Sequence, residues 1–160
     1  MRKTTLSPFW ILTILTGLNL MNYVDRFVLN AVRTPLADEF RLNYGQSGQM
    51  VTAFMIGYFV TSPLFGFLGD RFPRKWLIAF GILVWSIGTV LTGFASGFVM
   101  LLSFRTLVGF GEASYATISP SLISDSYGPA RRNTALTIFY VALPVGSALG
   151  FILGGVIAAR

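Results

Sequence analysis

Five long apolar segments account for most of this 160-residue sequence. Each is close to the roughly 20 residues that an α-helix needs to cross the hydrocarbon core of a bilayer. Charged residues make up only 11% of the chain, against about a quarter in a soluble domain. We therefore expect an all-α fold, a polytopic membrane helix bundle. Its helices are predicted at about 9–32, 48–68, 76–95, 98–119 and 134–157.

The basic residues between these segments predict the orientation of the bundle. Lysine and arginine are in excess beside the N-terminus, in the 69–75 loop and in the 126–133 loop, which all fall on one side of an alternating topology. Basic loops face the cytoplasm, so we read the net charge of +6 as topology information and expect no nucleic-acid partner. The prediction is an integral protein of the cell (inner) membrane with a cytoplasmic N-terminus.

Cysteine and histidine are absent from the sequence. Their absence excludes a disulfide framework, thiolate or imidazole metal ligands and imidazole catalysis. We expect no metal, no cofactor and no enzymatic activity. A membrane enzyme that uses Asp25 and Glu112 as an acid/base pair is the weakest alternative, because no nucleophile with a base accompanies them in the sequence.

The first apolar segment carries an acid and a base side by side, Asp25 and Arg26. At the centre of a span each costs about 2.5–3.5 kcal/mol on insertion scales, so a chain that keeps them there usually needs them. Polar side chains recur at spacings of three or four in this segment, at Asn19, Tyr23, Arg26, Asn30 and Arg33, with Asn22 and Asp25 beside them. Such a face is expected to line the bundle interior or a watery cavity.

The fourth segment carries a second ionisable pair, Arg105 and Glu112. Seven residues place them on one helix face about 10 Å apart along the axis, too far for easy direct pairing. We expect each to find a partner on another helix, with Asp25 as the candidate for Arg105. The candidates for proton coupling or substrate binding are Asp25, Arg26, Arg105 and Glu112, and the sequence is compatible with either role for each charge.

Small residues recur every fourth position in the fifth segment, at Ala142, Gly146, Gly150, Gly154 and Ala158. This pattern predicts a ridge on which another helix packs at backbone distance. Pro144 removes one helical hydrogen bond beside the ridge and permits a bend.

Two motifs resemble the major facilitator superfamily. Between the second and third segments the chain reads Gly66-Phe67-Leu68-Gly69-Asp70-Arg71-Phe72-Pro73-Arg74-Lys75, a tight loop whose acid and bases can lock one helix end against another. Arg105-Thr106-Leu107-Val108-Gly109-Phe110-Gly111 is similar to the fourth-helix motif of that superfamily. A cytoplasmic gate is therefore expected at Gly66, Asp70, Arg71, Arg74, Lys75, Asp125 and Arg131. The resemblance implies a twelve-helix fold, of which this chain holds part of the N-terminal half, so the sixth helix and a C-terminal half are the expected intramolecular partners.

Three stretches resemble the Spinster family more narrowly. They are Asn22-Tyr23-Val24-Asp25-Arg26, the run Gly109 to Pro120 with Gly111-Glu112-Ala113-Ser114-Tyr115, and Phe139-Tyr140-Val141-Ala142-Leu143-Pro144-Val145-Gly146-Ser147. The resemblance implies alternating-access transport of lysophospholipid- or sphingolipid-like amphiphiles. We expect a link to protons as well, because protonation of Asp25 or Glu112 would change their pairing with Arg26 or Arg105. Residues expected to line the cavity are Asn19, Asn22, Tyr23, Asn30, Tyr115, Phe139 and Tyr140.

Two other functions are alternatives to lipid transport. An Asn-Tyr-x-Asp-Arg start is shared with organic-anion symporters of the same superfamily, which makes a small organic anion the second candidate cargo. A non-transporting membrane scaffold is the third reading, because the chain stops after five predicted spans.

Overall fold

Six helices make up most of residues 7–159, the part of the chain that the computed structural model describes. They are α1 (Pro8–Ala31), α2 (Arg33–Glu39), α3 (Tyr44–Arg71), α4 (Arg74–Thr92), α5 (Phe98–Ser126) and α6 (Pro129–Ala158). This described range contains no strand, and the all-α expectation is confirmed. Arg2 and Lys3, on which part of the orientation argument rests, lie outside it.

Within residues 7–159, three helices, α3, α4 and α6, are long and apolar enough to cross a membrane by length and composition. The helices α1 and α5 contain 24 and 29 residues, and at about 1.5 Å per residue both exceed the hydrocarbon core in length. Both carry ionisable residues, which lower their hydropathy. Large apolar side chains such as Phe59, Val90 and Ile152 are more than half exposed, as expected for helices that face lipid.

The short helix α2 was not predicted, and it changes the polar face of α1. Helix α1 ends at Ala31, and Arg33 already belongs to α2. Pro35 explains the break, because in a continuous helix it would remove the hydrogen bond to the Ala31 carbonyl and clash with that group. In α2 the proline lies in the first turn, where its missing N–H is not needed. The prediction that Arg33 continues the α1 stripe is therefore wrong, and the stripe ends at Asn30.

Helix α3 begins four residues before the expected position 48. Asn43 caps it: the backbone N–H of Gln46 donates to Asn43 Oδ1 at 2.8 Å, and the backbone N–H of Asn43 donates to Gln46 Oε1 at 3.0 Å. This reciprocal capping box satisfies two N–H groups that would otherwise lack partners. The Asn-Tyr-Gly-Gln stretch is therefore the start of the helix and not a loop before it.

The last two helices also extend beyond their predicted ends. Helix α5 continues past position 119 to Ser126 with Pro120 inside it, because one lost hydrogen bond does not stop a helix that is held by its neighbours. Helix α6 begins at Pro129 and not at 134, since proline fits the first helical turn. The helix α4 ends at Thr92, three residues before the predicted end of the third span.

The chain divides into two compact units, which we call unit 1 (Met1–Pro35 with Pro120–Arg160) and unit 2 (Leu36–Ser119). In unit 1, α1 packs along α6 through the predicted glycine ridge. A Cβ added at Gly146 would lie 2.7 Å from Tyr23 Cβ, and one at Gly150 would lie 2.7 Å from Phe27 Cβ. Only glycine permits this backbone approach. Asn19 Nδ2 also donates to the Phe139 carbonyl at 3.0 Å.

In unit 2, α5 contacts both α3 and α4 at backbone distance. A Cβ added at Gly109 would overlap the Phe54 carbonyl oxygen of α3, and one at Gly111 would overlap the Trp85 backbone nitrogen of α4. Glycines on the partner helices contribute in the same way, at Gly57 of α3 and at Gly81 and Gly88 of α4. Unit 2 is therefore held by close helix contact on two faces of α5.

Hydroxyl groups reinforce both contacts of α5. Thr106 Oγ1 donates to the Ala53 carbonyl of α3 at 3.2 Å, and Ser114 Oγ donates to the Leu77 carbonyl of α4 at 2.8 Å. Such interhelical bonds contribute about 0.6 kcal/mol each on average in membrane proteins. They fix the rotation of α5 about its axis and thereby the direction of its ionisable side chains.

Candidate functional site

The ionisable pair of α5 lies inside unit 2. Glu112 is 2% exposed and Arg105 is 9% exposed. The guanidinium carbon of Arg105 lies 5.2 Å from the centroid of the Phe54 ring of α3, a cation–π arrangement. Burial of two formal charges is costly, so both residues remain candidates for proton coupling or substrate binding.

The ionisable pair of α1 lies in unit 1 and is more accessible. The Asp25 side chain is exposed and that of Arg26 is half-buried. The Arg26 guanidinium carbon lies 5.4 Å from the centroid of the Tyr23 ring. Because the two ionisable pairs belong to different units, the pairing of Asp25 with Arg105 stays a prediction.

Two asparagines on α1 are almost fully buried. Asn19 and Asn22 are each 5% exposed. Asn19 is used structurally through its bond to the Phe139 carbonyl. Asn22 Nδ2 is buried and has no hydrogen-bond partner within the described part of the chain. A buried amide donor of this kind is costly, and it makes Asn22 the stronger of the two candidates for contact with a substrate.

The aromatic residues predicted to line a cavity have different surroundings. Tyr115 is 1% exposed and packs edge-on against Trp85 of α4 with ring centroids 5.7 Å apart, so it belongs to the α4–α5 contact, and its role as a cavity residue stays a prediction. Phe139 is also buried, and its ring centroid lies 5.2 Å from that of Tyr140, which is half exposed. The Cβ of Tyr23 faces the Gly146 ridge.

Asn30 is exposed near the end of α1. Among the aromatic candidates Tyr140 is the most accessible, because its side chain is exposed. Tyr23 is half-buried, and Tyr115 and Phe139 are buried.

The predicted gate between α3 and α4 is mostly helical. Gly66 to Arg71 form the last turns of α3, and only Phe72 and Pro73 lie outside helices. The connection is shorter than the predicted 69–75 loop, because Pro73, which cannot continue α3, is followed at once by α4. Arg74 Nε donates to the Gly69 carbonyl at 3.2 Å and so ties the start of α4 to the end of α3.

The charges of this gate are presented to the surroundings. The Asp70 side chain is 82% exposed, and its Oδ1 lies 4.0 Å from Arg74 Nη2. The Arg71 guanidinium carbon lies 3.9 Å from the centroid of the Phe67 ring, and Lys75 Nζ lies 5.3 Å from that of Trp76. This arrangement leaves the Asp70 carboxylate accessible to a partner.

The second predicted gate lies where α5 meets α6. Asp125 and Arg131 are both exposed. Two contacts at this end were not predicted: Arg132 Nε donates to the Ser124 carbonyl at 3.0 Å, and Tyr127 Oη donates to the Pro8 carbonyl at 3.0 Å. The hydroxyls of Thr106 and Ser114 were also missed, although small polar residues inside an apolar segment are a signal for interhelical hydrogen bonds.

Comparison with known proteins places this arrangement in a family. A family model described as Major Facilitator Superfamily matches residues 15–160. Protein spinster homolog 1 of Homo sapiens is 45% identical over 158 residues, which cover 96% of this chain and 30% of the relative. The sphingosine-1-phosphate transporter SPNS2 of Danio rerio is 39% identical over 140 residues, which cover 86% of this chain and 28% of the relative.

A solved structure agrees with these relatives. The crystal structure of a bacterial homologue of the human lysosomal transporter Spinster, inward-facing and unoccupied, superposes with a TM-score of 0.90 at 30% identity. The match covers 99% of this chain and 33% of that one. The chain thus spans about a third or less of the length of the proteins that it resembles.

Proposed function

Because the chain belongs to the Major Facilitator Superfamily and is similar to Spinster-type transporters over most of its length, we propose that it supplies the N-terminal part of a membrane transporter. The transporter moves lysophospholipid- or sphingolipid-like amphiphiles by alternating access. Further helices complete its substrate path, and they include a partner for the exposed Asp70 carboxylate. We assign no catalytic chemistry to it.

The observation that carries the proposal is the buried pair Arg105 and Glu112 on a helix that is fixed on two faces. An amphiphile with a phosphate headgroup requires a cation at the site and apolar surface for its tail. Arg105 supplies the cation in this proposal. The sphingosine-1-phosphate named for the zebrafish relative is a molecule of this kind.

A proton linkage is the second part of the proposal. Protonation of Glu112 removes a negative charge from the interior of unit 2, and protonation of Asp25 removes one from α1. Either event changes which of the two access states is favoured, because the states differ in the solvation of these groups. Loss of the response to an imposed pH gradient on replacement of Glu112 tests this part.

The cargo is tested by direct comparison in proteoliposomes that hold the complete transporter to which we assign this chain. Uptake of a fluorescent lysophospholipid is measured beside uptake of a radiolabelled small organic anion. We expect saturable lysolipid uptake that Arg105→Gln lowers at least about tenfold, since a desolvated charge-assisted contact contributes about 1.5–3 kcal/mol. Arg132→Gln, on a side chain that bonds the Ser124 carbonyl, is the matched control and leaves uptake unchanged.

Each alternative function predicts a different result in the same assay. Uptake of the small anion without uptake of the lysolipid assigns the chain to the symporter class. Absence of both fluxes in vesicles with correctly inserted protein supports the scaffold reading and contradicts transport.

The orientation is proposed as well, with the N-terminus on the cytoplasmic side of a cell (inner) membrane. The chain has no cysteine, so a single introduced cysteine is the one thiol in these 160 residues that a maleimide can label. We expect Ala130→Cys, near the start of α6, to react with a membrane-impermeant maleimide only after the inner face is opened. Tyr44→Cys, at the exposed start of α3, is the opposite marker and reacts in intact cells. The reverse pattern of labelling would contradict this orientation.

A further inference from the structure

A groove separates α1 from α6 at the end where both helices begin. The two helices touch through the Gly146, Gly150 and Gly154 ridge but diverge towards their N-terminal ends. The space between them has a volume of about 620 Å³, within the 300–1,000 Å³ typical of ligand pockets. The hydrogen bond from Tyr127 Oη to the Pro8 carbonyl connects the residues just before α6 to the first residue of α1.

The groove has apolar walls and one cationic group. Phe9, Leu12 and Leu20 of α1 face Ala135 and Ile138 of α6 across it, and among the described residues of its lining Arg131 is the one that carries a formal charge. Arg131 follows the first residue of α6 by two positions, whereas Ile138 lies about 10 Å further along the helix axis. A cation at the membrane boundary above an apolar channel matches a phosphate headgroup above an acyl chain.

Gly17 of α1 also lines the groove, and its role in the protein fold is unexplained. A Cβ added there would meet no atom within 4 Å, whereas the glycines of the α6 ridge are required by the approach of α1. A glycine inside a helix costs about 1 kcal/mol relative to alanine. A bulky occupant that lies against α1 at this position would explain why the residue is glycine.

We propose that this groove holds one anionic phospholipid of the leaflet in which α1 and α6 begin, with its phosphate on Arg131 and an acyl chain between the two helices. This lipid is distinct from the transported cargo, because Asn22, the stronger candidate for contact with the substrate, lies on another face of α1 from Gly17 and Leu20. If the proposed orientation is correct, this leaflet is the cytoplasmic one. The binding of the lipid does not depend on the orientation or on transport.

The test uses the complete transporter to which we assign this chain, with any cysteine outside these 160 residues replaced by serine, in nanodiscs of phosphatidylcholine that contain a minority of phosphatidylglycerol. Gly17→Cys carries a small fluorophore, since the native chain has no cysteine and the site has open space. Leu83→Cys, on the exposed face of α4, is the reference position. Either lipid is supplied with brominated acyl chains, which quench a fluorophore only on contact.

We expect brominated phosphatidylglycerol to quench the Gly17 probe roughly fivefold more per molecule than brominated phosphatidylcholine, as one basic residue at the surface implies. At Leu83 the two lipids quench equally. Arg131→Gln abolishes the preference at Gly17, whereas Arg131→Lys and the neighbouring Arg132→Gln keep it.

Two results overturn the inference. Equal quenching of the Gly17 probe by both lipids means that lipid enters the groove without recognition of its headgroup. Protection of that probe from both lipids, while the Leu83 probe remains accessible, means that a protein segment occupies the groove. Neither result bears on whether the transporter moves lysolipids, so failure of this inference and failure of the proposed function are distinguishable.

Discussion

Helix α5 in unit 2 and helix α1 in unit 1 both carry ionisable residues, but they are held differently. Glycines fix α5 on two faces, with Gly57 and Gly109 at α3 and Gly81 and Gly111 at α4. Within unit 1, helix α1 is held on one face by the glycine ridge of α6 and by the hydrogen bond from Asn19 to the Phe139 carbonyl. The charges follow this difference, since Glu112 of α5 is buried whereas the Asp25 side chain of α1 is exposed.

The difference shows how a membrane helix bundle positions a buried charge. Lipid tails are as apolar as the helix surfaces, so close packing and hydrogen bonds, rather than the hydrophobic effect, hold the helices together. Two glycine contacts and the hydroxyl bonds of Thr106 and Ser114 fix α5 in place. A single ridge leaves the beginning of α1 beside an open groove.

The largest effect on stability is expected from a substitution that breaks the α3–α5 contact. In Gly109→Ala the new Cβ would overlap the Phe54 carbonyl oxygen, and since backbone cannot rotate away the two helices must separate. We expect a loss of about 3 kcal/mol in the free energy of unfolding, measured by titration with SDS in mixed micelles. Gly48→Ala in α3, where a Cβ meets nothing within 4 Å, is the control and gains up to about 1 kcal/mol. Wild-type stability in Gly109→Ala would show that α5 is not fixed on that face.

A smaller loss is expected where α1 meets α6, and two adjacent glycines form a matched pair. A Cβ at Gly154 would lie 2.8 Å from the Val28 carbonyl oxygen, whereas one at Gly155 would meet nothing within 4 Å. In the same titration Gly154→Ala loses about 1–2 kcal/mol by overpacking. Gly155→Ala gains up to about 1 kcal/mol from helix propensity. Equal effects of the two substitutions would contradict the ridge.

The capping box of α3 is expected to contribute about 1 kcal/mol to unit 2. Asn43→Ala leaves the Gln46 backbone N–H without its acceptor and loses about that amount. Gln49→Ala, on an exposed residue one turn further into the helix, changes stability by less than about 0.5 kcal/mol. A result in which both variants are as stable as the wild type would show that the start of α3 is fixed by packing alone.

The smallest effect is expected in the connection between α3 and α4. Asp70 is 82% exposed, and its carboxylate lies 4.0 Å from the Arg74 guanidinium. Exposed pairs of this kind contribute about 0–1 kcal/mol, so Asp70→Asn should shift the unfolding free energy by no more than about 0.5 kcal/mol. A loss as large as that of Gly109→Ala would show that the connection, and not the helix contacts, holds unit 2 together.

The sequence predicts the parts of this fold that depend on local patterns. The apolar segments place the five long helices, and the four-residue spacing of Gly146, Gly150 and Gly154 marks the face of α6 that meets α1. Segment lengths do not reveal α2, because its cause is the backbone restriction at Pro35. The end of α5 was missed for the opposite reason, since Pro120 lies inside a helix that tertiary contacts sustain.

The candidate site was predicted less completely than the fold. The charged residues of α1 and α5 are visible in the sequence because charge in an apolar segment is rare. The surroundings of Tyr115 are not visible in the sequence, because the same helical spacing would let its ring face either a cavity or Trp85. The direction in which such a side chain faces depends on which helix lies opposite. Glycines on other segments determine which helix that is.

The central claim is that the buried Glu112 links a proton gradient to amphiphile movement, and flux under an imposed pH gradient tests it most directly. Proteoliposomes with the complete transporter are compared for the wild type, Glu112→Gln and the control Glu39→Gln, which alters an exposed residue of α2. We predict that Glu112→Gln still exchanges labelled lysophospholipid across the membrane at equal pH but no longer accumulates it in response to the gradient, whereas Glu39→Gln behaves as the wild type. Gradient-driven accumulation by Glu112→Gln that equals that of the wild type would contradict the account.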